Sequence, residues 1–162
     1  SVFLDSGTTI FQLAATMPDE RLVVTTTGPN IALELIKKKL PIVNLVGGML
    51  NRDSISVSGN NATKFLADIN IDVAFIVPSG ASAETGFTCG NYAECEFKRQ
   101  VIEKARRTII LADHSKFGRT LPYTFAEFGM VDTIITDRAV SGDIADAAKR
   151  AGTQIIAADI GE

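Results

Sequence analysis

The sequence has little histidine and little cysteine, and it lacks a long apolar run. His114 is the only histidine, and the two cysteines are Cys89 and Cys95. Without a hydrophobic signal segment, so few cysteines indicate a reducing cytoplasm rather than a disulfide framework. No apolar stretch approaches the roughly 18 residues that a membrane-spanning helix needs. We therefore expect a soluble, cytoplasmic protein.

An excess of positive charge is also missing. The chain has 16 Lys and Arg against 19 Asp and Glu, which gives a net charge of −3 and a pI of about 5.2. Non-specific DNA binding depends on Lys and Arg that neutralise phosphates. This segment on its own is therefore a poor candidate for direct DNA binding.

The chain has no low-complexity linker and no internal repeat. Its 162 residues, 46% of them hydrophobic, are enough for one domain with a sizeable core. We expect a single domain over residues 1–162. Because the sequence enters an apolar run directly after Ser1, we also expect this chain to come from a longer polypeptide.

Seven short apolar runs alternate with segments of helical pattern. The runs are VFLD (2–5), LVVTT (22–26), PIVNLVG (41–47), VAFIV (73–77), TIILA (108–112), TIIT (133–136) and QIIA (154–157). Runs that are apolar at nearly every position indicate strands buried on both faces. The helical segments are 9–16, 30–39, 61–69, 95–106 and 142–151. This alternation predicts a doubly wound α/β domain, with a mostly parallel sheet and helices on both faces.

Three local features refine this prediction. The segment SISVSG (54–59) alternates polar and apolar residues, which indicates an edge or antiparallel strand. Residues 78–92 are rich in Gly, Ser and Thr and are predicted to be a loop. The last helix has Ser141 as its expected N-cap and Gly152 as its stop signal.

In such sheets ligands bind beyond the carboxyl ends of the strands, so the loops that directly follow the apolar runs are the candidate ligand-binding segments. The first loop, DSGTT, leads into a helix and suits a phosphate or carboxylate at the helix N-terminus; the alternative is simple helix capping. The segment VGG (46–48) is either a turn that needs positive φ or backbone that approaches a ligand, and we favour the turn. Walker and dinucleotide spacings are absent, so we expect neither ATP nor NAD, and no cofactor.

The stretch ADHSKFGR (112–119) holds the only histidine beside Asp, Ser and Lys. Consecutive side chains alternate in direction, so Asp113, His114 and Ser115 do not form a catalytic triad. The gap between the two cysteines is wider than in structural zinc sites, and we expect no metal. Lys116 is a candidate point charge for a phosphate, although most lysines are solvated surface residues.

The helical segment 93–107 carries an i, i+4 pair, Glu94 and Lys98, on what we expect to be a charged outer face. The alternative is that the start of this helix leans over the edge of the sheet where the loops meet. The apolar segment after Lys116, with Phe117, Tyr123, Phe125 and Phe128, predicts core packing, with a subunit interface as the alternative.

Several segments, in this order and spacing, resemble one family. They are FLDSGTT, VVTT with NIALEL, VGGML, DVAFIVPSGASAETGFT, EFKRQVIEKARRTIILADHSKFGR and VDTIITD. This set is similar to the C-terminal effector-binding domain of the DeoR family of bacterial transcriptional repressors, from Val2 to about Asp137 and more loosely to the end. The resemblance implies a fold like that of ribose-phosphate isomerase and coenzyme A transferase. It also implies a homo-oligomeric sensor of phosphorylated sugars, without enzyme activity, whose operator DNA is bound by an N-terminal winged helix-turn-helix that this chain lacks.

The resemblance also assigns roles to residues of this chain. It implies a phosphate loop, further lining residues, and contacts from the loop at 113–116 and the helix before it. The implied residues are Asp5, Ser6, Gly7, Thr8, Thr9, Thr26, Thr27, Gly47, Gly48, Lys98, Asp113 and Lys116. The chain departs from the family where Thr27-Gly28 replaces a common Asn-Ser and where Pro78 replaces a common glycine. The helix that normally precedes FLDSGTT is absent.

Two other functions stay open at this point. A sugar-phosphate isomerase would need a carboxylate base over the substrate carbon, and the turn at 78–82 has no acid, although Glu84 and Glu94 are candidate bases. A pure oligomerisation module would bind no small ligand. We favour the sensor.

Overall fold

In the computed structural model, which describes residues 1–158, twelve strands and five α-helices are formed. In chain order they are β1 (Val2–Leu4), α1 (Thr8–Thr16), β2 (Val23–Thr26), α2 (Pro29–Leu35), β3 (Ile42–Leu45), β4 (Met49–Asn51), β5 (Ser56–Ser58), α3 (Asn60–Ala67), β6 (Ile71–Ile76), β7 (Gly80–Ser82), β8 (Gly86–Cys89), α4 (Tyr92–Lys104), β9 (Ala105–Leu111), β10 (Tyr123–Ala126), β11 (Thr133–Thr136), α5 (Asp143–Ala151) and β12 (Gln154–Ala157). Short 3-10 helices lie at His114–Lys116 and Phe128–Met130.

Seven strands form the central sheet, in the order β12-β11-β9-β6-β1-β2-β3. Every neighbouring pair in this sheet is parallel. The chain builds β1, β2 and β3 toward one edge, and then β6, β9, β11 and β12 toward the other. The predicted doubly wound α/β fold is therefore confirmed, and its topological switch point lies between β1 and β6.

Successive residues of the central strands are buried on opposite faces of the sheet. In β1, Phe3 packs with the cluster formed by α3, α4 and α5, whereas Leu4 packs with the cluster formed by α1 and α2. Both side chains are fully buried, and such burial contributes about 1.5–3 kcal/mol for each side chain. This alternation explains why the strands are apolar at nearly every position.

The predicted helices are present, with differences at their ends. The helix predicted over 30–39 ends at Leu35. The start of α4 is fixed by Asn91, whose side chain accepts a hydrogen bond from the Glu94 backbone N–H. The expectation of Ser141 as N-cap of α5 is wrong, because Gly142 occupies that position with φ 67°. Gly152 ends α5 in the left-handed conformation, as predicted.

A second, antiparallel sheet has the order β10-β8-β7, and two of its strands, β7 and β8, lie within the segment 78–92 that was predicted to be a loop. That prediction is wrong over 80–82 and 86–89 because these strands are only three or four residues long and each begins with glycine. Phe87 of β8 packs on Phe125 and Phe128, with ring centroids 6.3 and 4.9 Å apart. Both partners are core residues, as favoured over an interface, whereas Tyr123 is 37% exposed.

A hairpin of β4 and β5 stands apart from both sheets. The antiparallel strand predicted within 54–59 is confirmed by the pairing of β5 with β4. Gly48, just before β4, has φ 155°, and a Cβ atom there would lie 2.5 Å from the backbone oxygen of Ser58. Glycine is therefore required at position 48, because the two hairpin backbones approach too closely for a side chain.

No helix among residues 1–158 combines the length and apolarity needed to cross a membrane. The sheet takes strands from both the first and the last described elements, β1 and β12. The single domain expected over residues 1–162 stays a prediction, and its residues 159–162 lie outside the described part of the chain.

Replacing Gly48 by alanine should destabilise the protein by about 2–4 kcal/mol, because positive φ and overpacking are both penalised. The adjacent Gly47 is the matched control, since a Cβ atom there meets nothing within 4 Å. Gly47→Ala should change the free energy of unfolding by less than about 1 kcal/mol. Urea denaturation of both variants measures the difference. Equal effects would contradict the close approach at Gly48.

Candidate functional site

A cavity of about 580 Å³ opens at the carboxyl edge of the sheet, over the switch point between β1 and β6. Its size falls in the range of small-molecule sites, about 300–1,000 Å³. The wall is formed by loops that follow four parallel strands, by the β4–β5 hairpin and by the start of α4. The lining residues are 6–9, Asn30, Asn51, 53–55, 77–79, Gly90, Asn91, Glu94, Lys98, Asp113, Lys116 and Leu121.

Helix α1 begins at the cavity without a capping side chain. Its N-cap is Gly7, with φ 107°, and no side chain of the described residues caps it by a hydrogen bond. Thr8 and Thr9 are exposed in the first turn. The Ser and Thr side chains of DSGTT therefore do not cap the helix, which was the alternative to a ligand-binding role. The first N–H groups of α1 are open to an anion, which the helix dipole also favours.

Asp5 lies beneath this loop rather than on the cavity wall. Its carboxylate accepts a hydrogen bond from the Val77 backbone N–H at 3.0 Å, and its own N–H donates to Phe75. Asp5 is 3% exposed. It therefore joins the end of β1 to the end of β6 and fixes the loop from which α1 starts.

Lys98 of α4 is buried at the base of the cavity. Its Nζ donates to the Val77 carbonyl at 2.7 Å and lies 3.1 Å from Asp5 Oδ2 and 2.6 Å from Glu94 Oε1. An ammonium group has three N–H donors, so these three acceptors use all of them. Lys98 is 3% exposed, and the expected charged outer face of this helix is wrong at this position. The start of α4 instead faces the cavity, the alternative left open by the sequence.

The charges around Lys98 shift its pKa and that of Asp5. Burial raises the pKa of Asp5 above its ordinary value, although Lys98 acts in the opposite direction. Burial would lower the pKa of Lys98, but the carboxyl groups of Asp5 and Glu94 outweigh burial and raise it. Lys98 therefore stays protonated at neutral pH, with carboxyl groups on two sides.

The loop after β9 is held in a 3-10 turn. The Asp113 carboxylate caps the turn by accepting from the Ser115 backbone N–H at 2.8 Å and from the Ser115 hydroxyl. The His114 backbone N–H donates to Asp137 Oδ1 at 2.6 Å, and His114 Nδ1 lies 2.6 Å from Asp137 Oδ2. The histidine thus ties this loop to the loop after β11.

Lys116 ends the same turn and lines the cavity. It forms no ion pair with any residue in 1–158. The parallel sheet therefore brings a free ammonium group to the cavity that also receives the N-terminus of α1. This is the arrangement expected for an anion site.

The remaining predicted site residues lie elsewhere. Ser6, Gly7, Thr8, Thr9, Lys98, Asp113 and Lys116 line the cavity, but Thr26, Thr27, Gly47 and Gly48 do not. Thr26 is fully buried, and its hydroxyl accepts from the Gly28 N–H. The Thr27 carbonyl accepts from Val57 of the hairpin. Thr27 and Gly48 thus contact the hairpin, which forms part of the cavity wall, whereas Thr26 bonds to Asp5, Gly28 and Val46.

Sequence reasoning missed the contribution of the hairpin tip, which supplies Asn51, Asp53, Ser54 and Ile55 to the wall. The run of turn-forming residues Asn51-Arg52-Asp53-Ser54 between two strands was the available signal. Ile55 has φ 47°, which is rare for a β-branched residue. The tip therefore lines the site with a turn in which Ile55 adopts the left-handed backbone conformation.

The two cysteines are buried and unpaired. Burial raises the pKa of the Cys89 thiol to about 12 and also raises that of Cys95. Within residues 1–158, no group of three or more His, Cys, Asp and Glu side chains is placed to hold a metal ion. The cysteines are therefore core residues that carry no reactive thiolate at neutral pH.

Fold and cavity define the class of protein: a doubly wound α/β domain with a ligand-sized cavity at its switch point. The chain belongs to the DeoR family, because the family model of the DeoR C-terminal sensor domain matches residues 1–138. The resemblance seen in the sequence is thereby confirmed.

Curated relatives agree with this assignment. The HTH-type transcriptional regulator GlpR of Haloferax volcanii is 32% identical over 156 residues, 96% of this chain and 61% of the relative. The putative sgc region transcriptional regulator of Escherichia coli K12 is 34% identical over 155 residues, 94% and 59% of the two chains. The glycerol-3-phosphate regulon repressor of the same strain is 30% identical over 138 residues, 85% and 55%. The chain thus spans less than two thirds of each relative.

Replacing Lys98 by methionine should destabilise the protein by about 3–5 kcal/mol, because removing one partner leaves buried carboxyl groups without compensation. Lys37→Met is the matched control, since it removes an ion pair whose lysine is exposed, and such pairs contribute at most about 1 kcal/mol. Chemical denaturation at pH 7 measures both variants. A Lys98→Met cost no larger than that of Lys37→Met would contradict the buried network.

The His114–Asp137 contact should appear in the pH dependence of stability. The hydrogen bond from His114 lowers the pKa of Asp137 below its ordinary 3.8. A lowered folded-state pKa stabilises at higher pH, and that stabilisation is lost as the pH falls from 3.8 through the lowered pKa. The difference in free energy of unfolding between the parent and Asp137→Asn should therefore shrink in this acid window.

Urea denaturation over a pH series measures this difference. In a His114→Ala background, which removes the ring contact but keeps the hydrogen bond from the backbone N–H of residue 114, Asp137→Asn should change the pH dependence in the window less than it does in the parent. An undiminished effect in that background would show that the His114 ring is not the cause.

Proposed function

We propose that this chain is the effector-sensing part of a transcriptional repressor. A phosphorylated sugar or sugar-derived metabolite binds in the cavity at the switch point and thereby controls DNA binding by a segment outside these 162 residues. The observation that carries the proposal is the meeting of the uncapped α1 N-terminus with the unpaired ammonium of Lys116 at one cavity.

Phosphate fits this arrangement for two reasons. The first turn of α1 offers backbone N–H groups and the positive end of the helix dipole. Lys116 adds a point charge from the loop after β9, two strands away from β1 in the sheet. The cavity is large enough for a monosaccharide beside the phosphate.

The relatives support the regulatory part of the proposal. They are named as transcriptional regulators, and one is named for the glycerol-3-phosphate regulon. The net charge of −3 supports DNA contact through a different segment. Operator DNA is therefore proposed as a partner of the whole protein, not of this domain.

A non-catalytic role is favoured over a sugar-phosphate isomerase by the positions of the candidate bases. Glu84 lies away from the cavity, in a second depression beside Arg150. Glu94 lines the cavity, but its Oε1 is held by Lys98 at 2.6 Å. Pro78 and Ser79, over the central strands, bring no acid. Neither of the two candidate bases is thus a free carboxylate above the switch point that could take a proton from a substrate carbon.

Sensing requires that the ligand bind two states of the repressor with different affinity. By linkage, DNA then changes the effector affinity by the same factor by which the effector changes DNA affinity. We further propose that the regulator acts as a homo-oligomer in the cytoplasm, as the family resemblance implies.

Loss of Lys116 or of the Thr8 hydroxyl should remove ligand-induced stabilisation while leaving the fold intact. A ligand at 100 times its Kd stabilises the native state by about 2.7 kcal/mol. Thermal unfolding with and without a panel of sugar phosphates measures this effect for the parent, Lys116→Ala and Thr8→Ala. Lys39→Ala is the matched control, because Lys39 is exposed and outside the cavity.

If both cavity variants respond like the parent, the site lies elsewhere. Turnover of any pentose or hexose phosphate in the panel would favour the isomerase instead. A parent protein that responds to no member of the panel would favour a pure oligomerisation module.

A further inference from the structure

We propose that the cavity selects ligands that carry one phosphate and no second anionic group, and that Asp53 enforces this selection. The inference rests on the proposed function, since it names the class of phosphorylated ligand that the same cavity takes. Asp53 lies at the tip of the β4–β5 hairpin and lines the cavity.

The charges of the cavity leave room for one phosphate only. Three carboxylates, those of Asp53, Glu94 and Asp113, line it together with two ammonium groups, those of Lys98 and Lys116. The three donors of Lys98 are already used by protein acceptors. Among the described side chains that line the cavity, Lys116 is therefore the free cation, and together with the start of α1 it suits a single dianion.

The strand order places these features along a line. The segments that follow β9, β6, β1 and β2 lie in this order along the sheet edge. They carry Lys116 in the 3-10 turn, Val77, Gly7 and, in the first turn of α2, Asn30. Neighbouring strands lie about 4.8 Å apart, so the ends of this line are roughly 14 Å apart. The hairpin with Asp53 follows β3 and thus belongs to the Asn30 end. A phosphate held by α1 and Lys116 leaves the rest of the ligand at that end.

The Asn30 end presents the carboxylate of Asp53 as a hydrogen-bond acceptor. This carboxylate forms no ion pair with another described residue. An acceptor without an ion-pair partner favours a ligand that brings donors. Sugar or polyol hydroxyls are such donors, whereas a second phosphate or a carboxylate is not.

Ligands that differ only at the end away from the first phosphate therefore bind differently. A bisphosphate or a phosphorylated sugar acid places a second anion beside Asp53, and like charges at short distance repel. A neutral polyol end donates to Asp53 instead.

Isothermal titration calorimetry with matched ligands tests the inference. The pairs are fructose 6-phosphate with fructose 1,6-bisphosphate, glucose 6-phosphate with 6-phosphogluconate, and glycerol 3-phosphate with 3-phosphoglycerate. For any pair that binds, the parent protein should bind the first member at least about tenfold more tightly. Asp53→Asn, which keeps the size and removes the charge, should reduce this ratio about threefold or more. Asp68→Asn, an exposed carboxylate outside the cavity, should leave the ratio unchanged.

The outcomes separate the two proposals. Equal or tighter binding of the doubly anionic members overturns the selection for one phosphate, and an unchanged ratio in Asp53→Asn overturns the role of Asp53. In both cases the singly phosphorylated ligands still bind, so the proposed sensor function stands. Failure of every ligand to bind the parent overturns the sensor function and this inference with it.

Discussion

The ammonium group of Lys98 is buried between the ends of β1 and β6, and the geometry of the candidate site depends on it. It contacts Asp5 after β1, Glu94 on α4 and the carbonyl of Val77 after β6. These contacts join the helix layer to the two strands at which the sheet order reverses. Because the loop to α1 starts at Asp5, the position of the helix N-terminus follows from the same charge.

A buried ion network of this kind is costly to desolvate, so an apolar replacement of all its members would not necessarily weaken the fold. Its consequence here is geometric. Residues from α4, β1 and β6 have their polar atoms in fixed positions, and each is occupied by a protein partner. In the cavity above them, few polar groups of the described residues remain free to bind a ligand.

The central sheet could be predicted from the sequence because each of its strands is apolar on both faces, a pattern that depends only on local composition. The position of Lys116 at the cavity followed from the same reasoning, since parallel strands bring their following loops to one edge. The antiparallel strands β7, β8 and β10 could not be predicted in this way. They are short, and they begin with glycine or an exposed tyrosine. The contacts that hold them together, those of Phe87 with Phe125 and Phe128, join residues about 40 positions apart in the chain.

The same limit applies to the site. The i, i+4 pair of Glu94 and Lys98 has the pattern of a solvent-exposed ion pair. Nothing in the neighbouring sequence indicates that Lys98 is buried against Asp5. Thr27 and Gly48 follow strands, as ligand-binding residues do, but Thr27 accepts a hydrogen bond from Val57 of the hairpin and Gly48 lies against the backbone of Ser58. The hairpin tip reaches the cavity through a tertiary approach that periodicity does not describe. At each of these positions, the role of the residue depends on a contact with a residue distant in the sequence, which the local pattern does not reveal.

Helix α1 starts on glycine with its first N–H groups unmatched by any side chain of residues 1–158. In α4 the Asn91 side chain accepts a hydrogen bond from the first turn. An anion bound at the start of α1 would accept hydrogen bonds from the first turn in the same way. Ligand binding would therefore stabilise that turn as well as occupy the cavity.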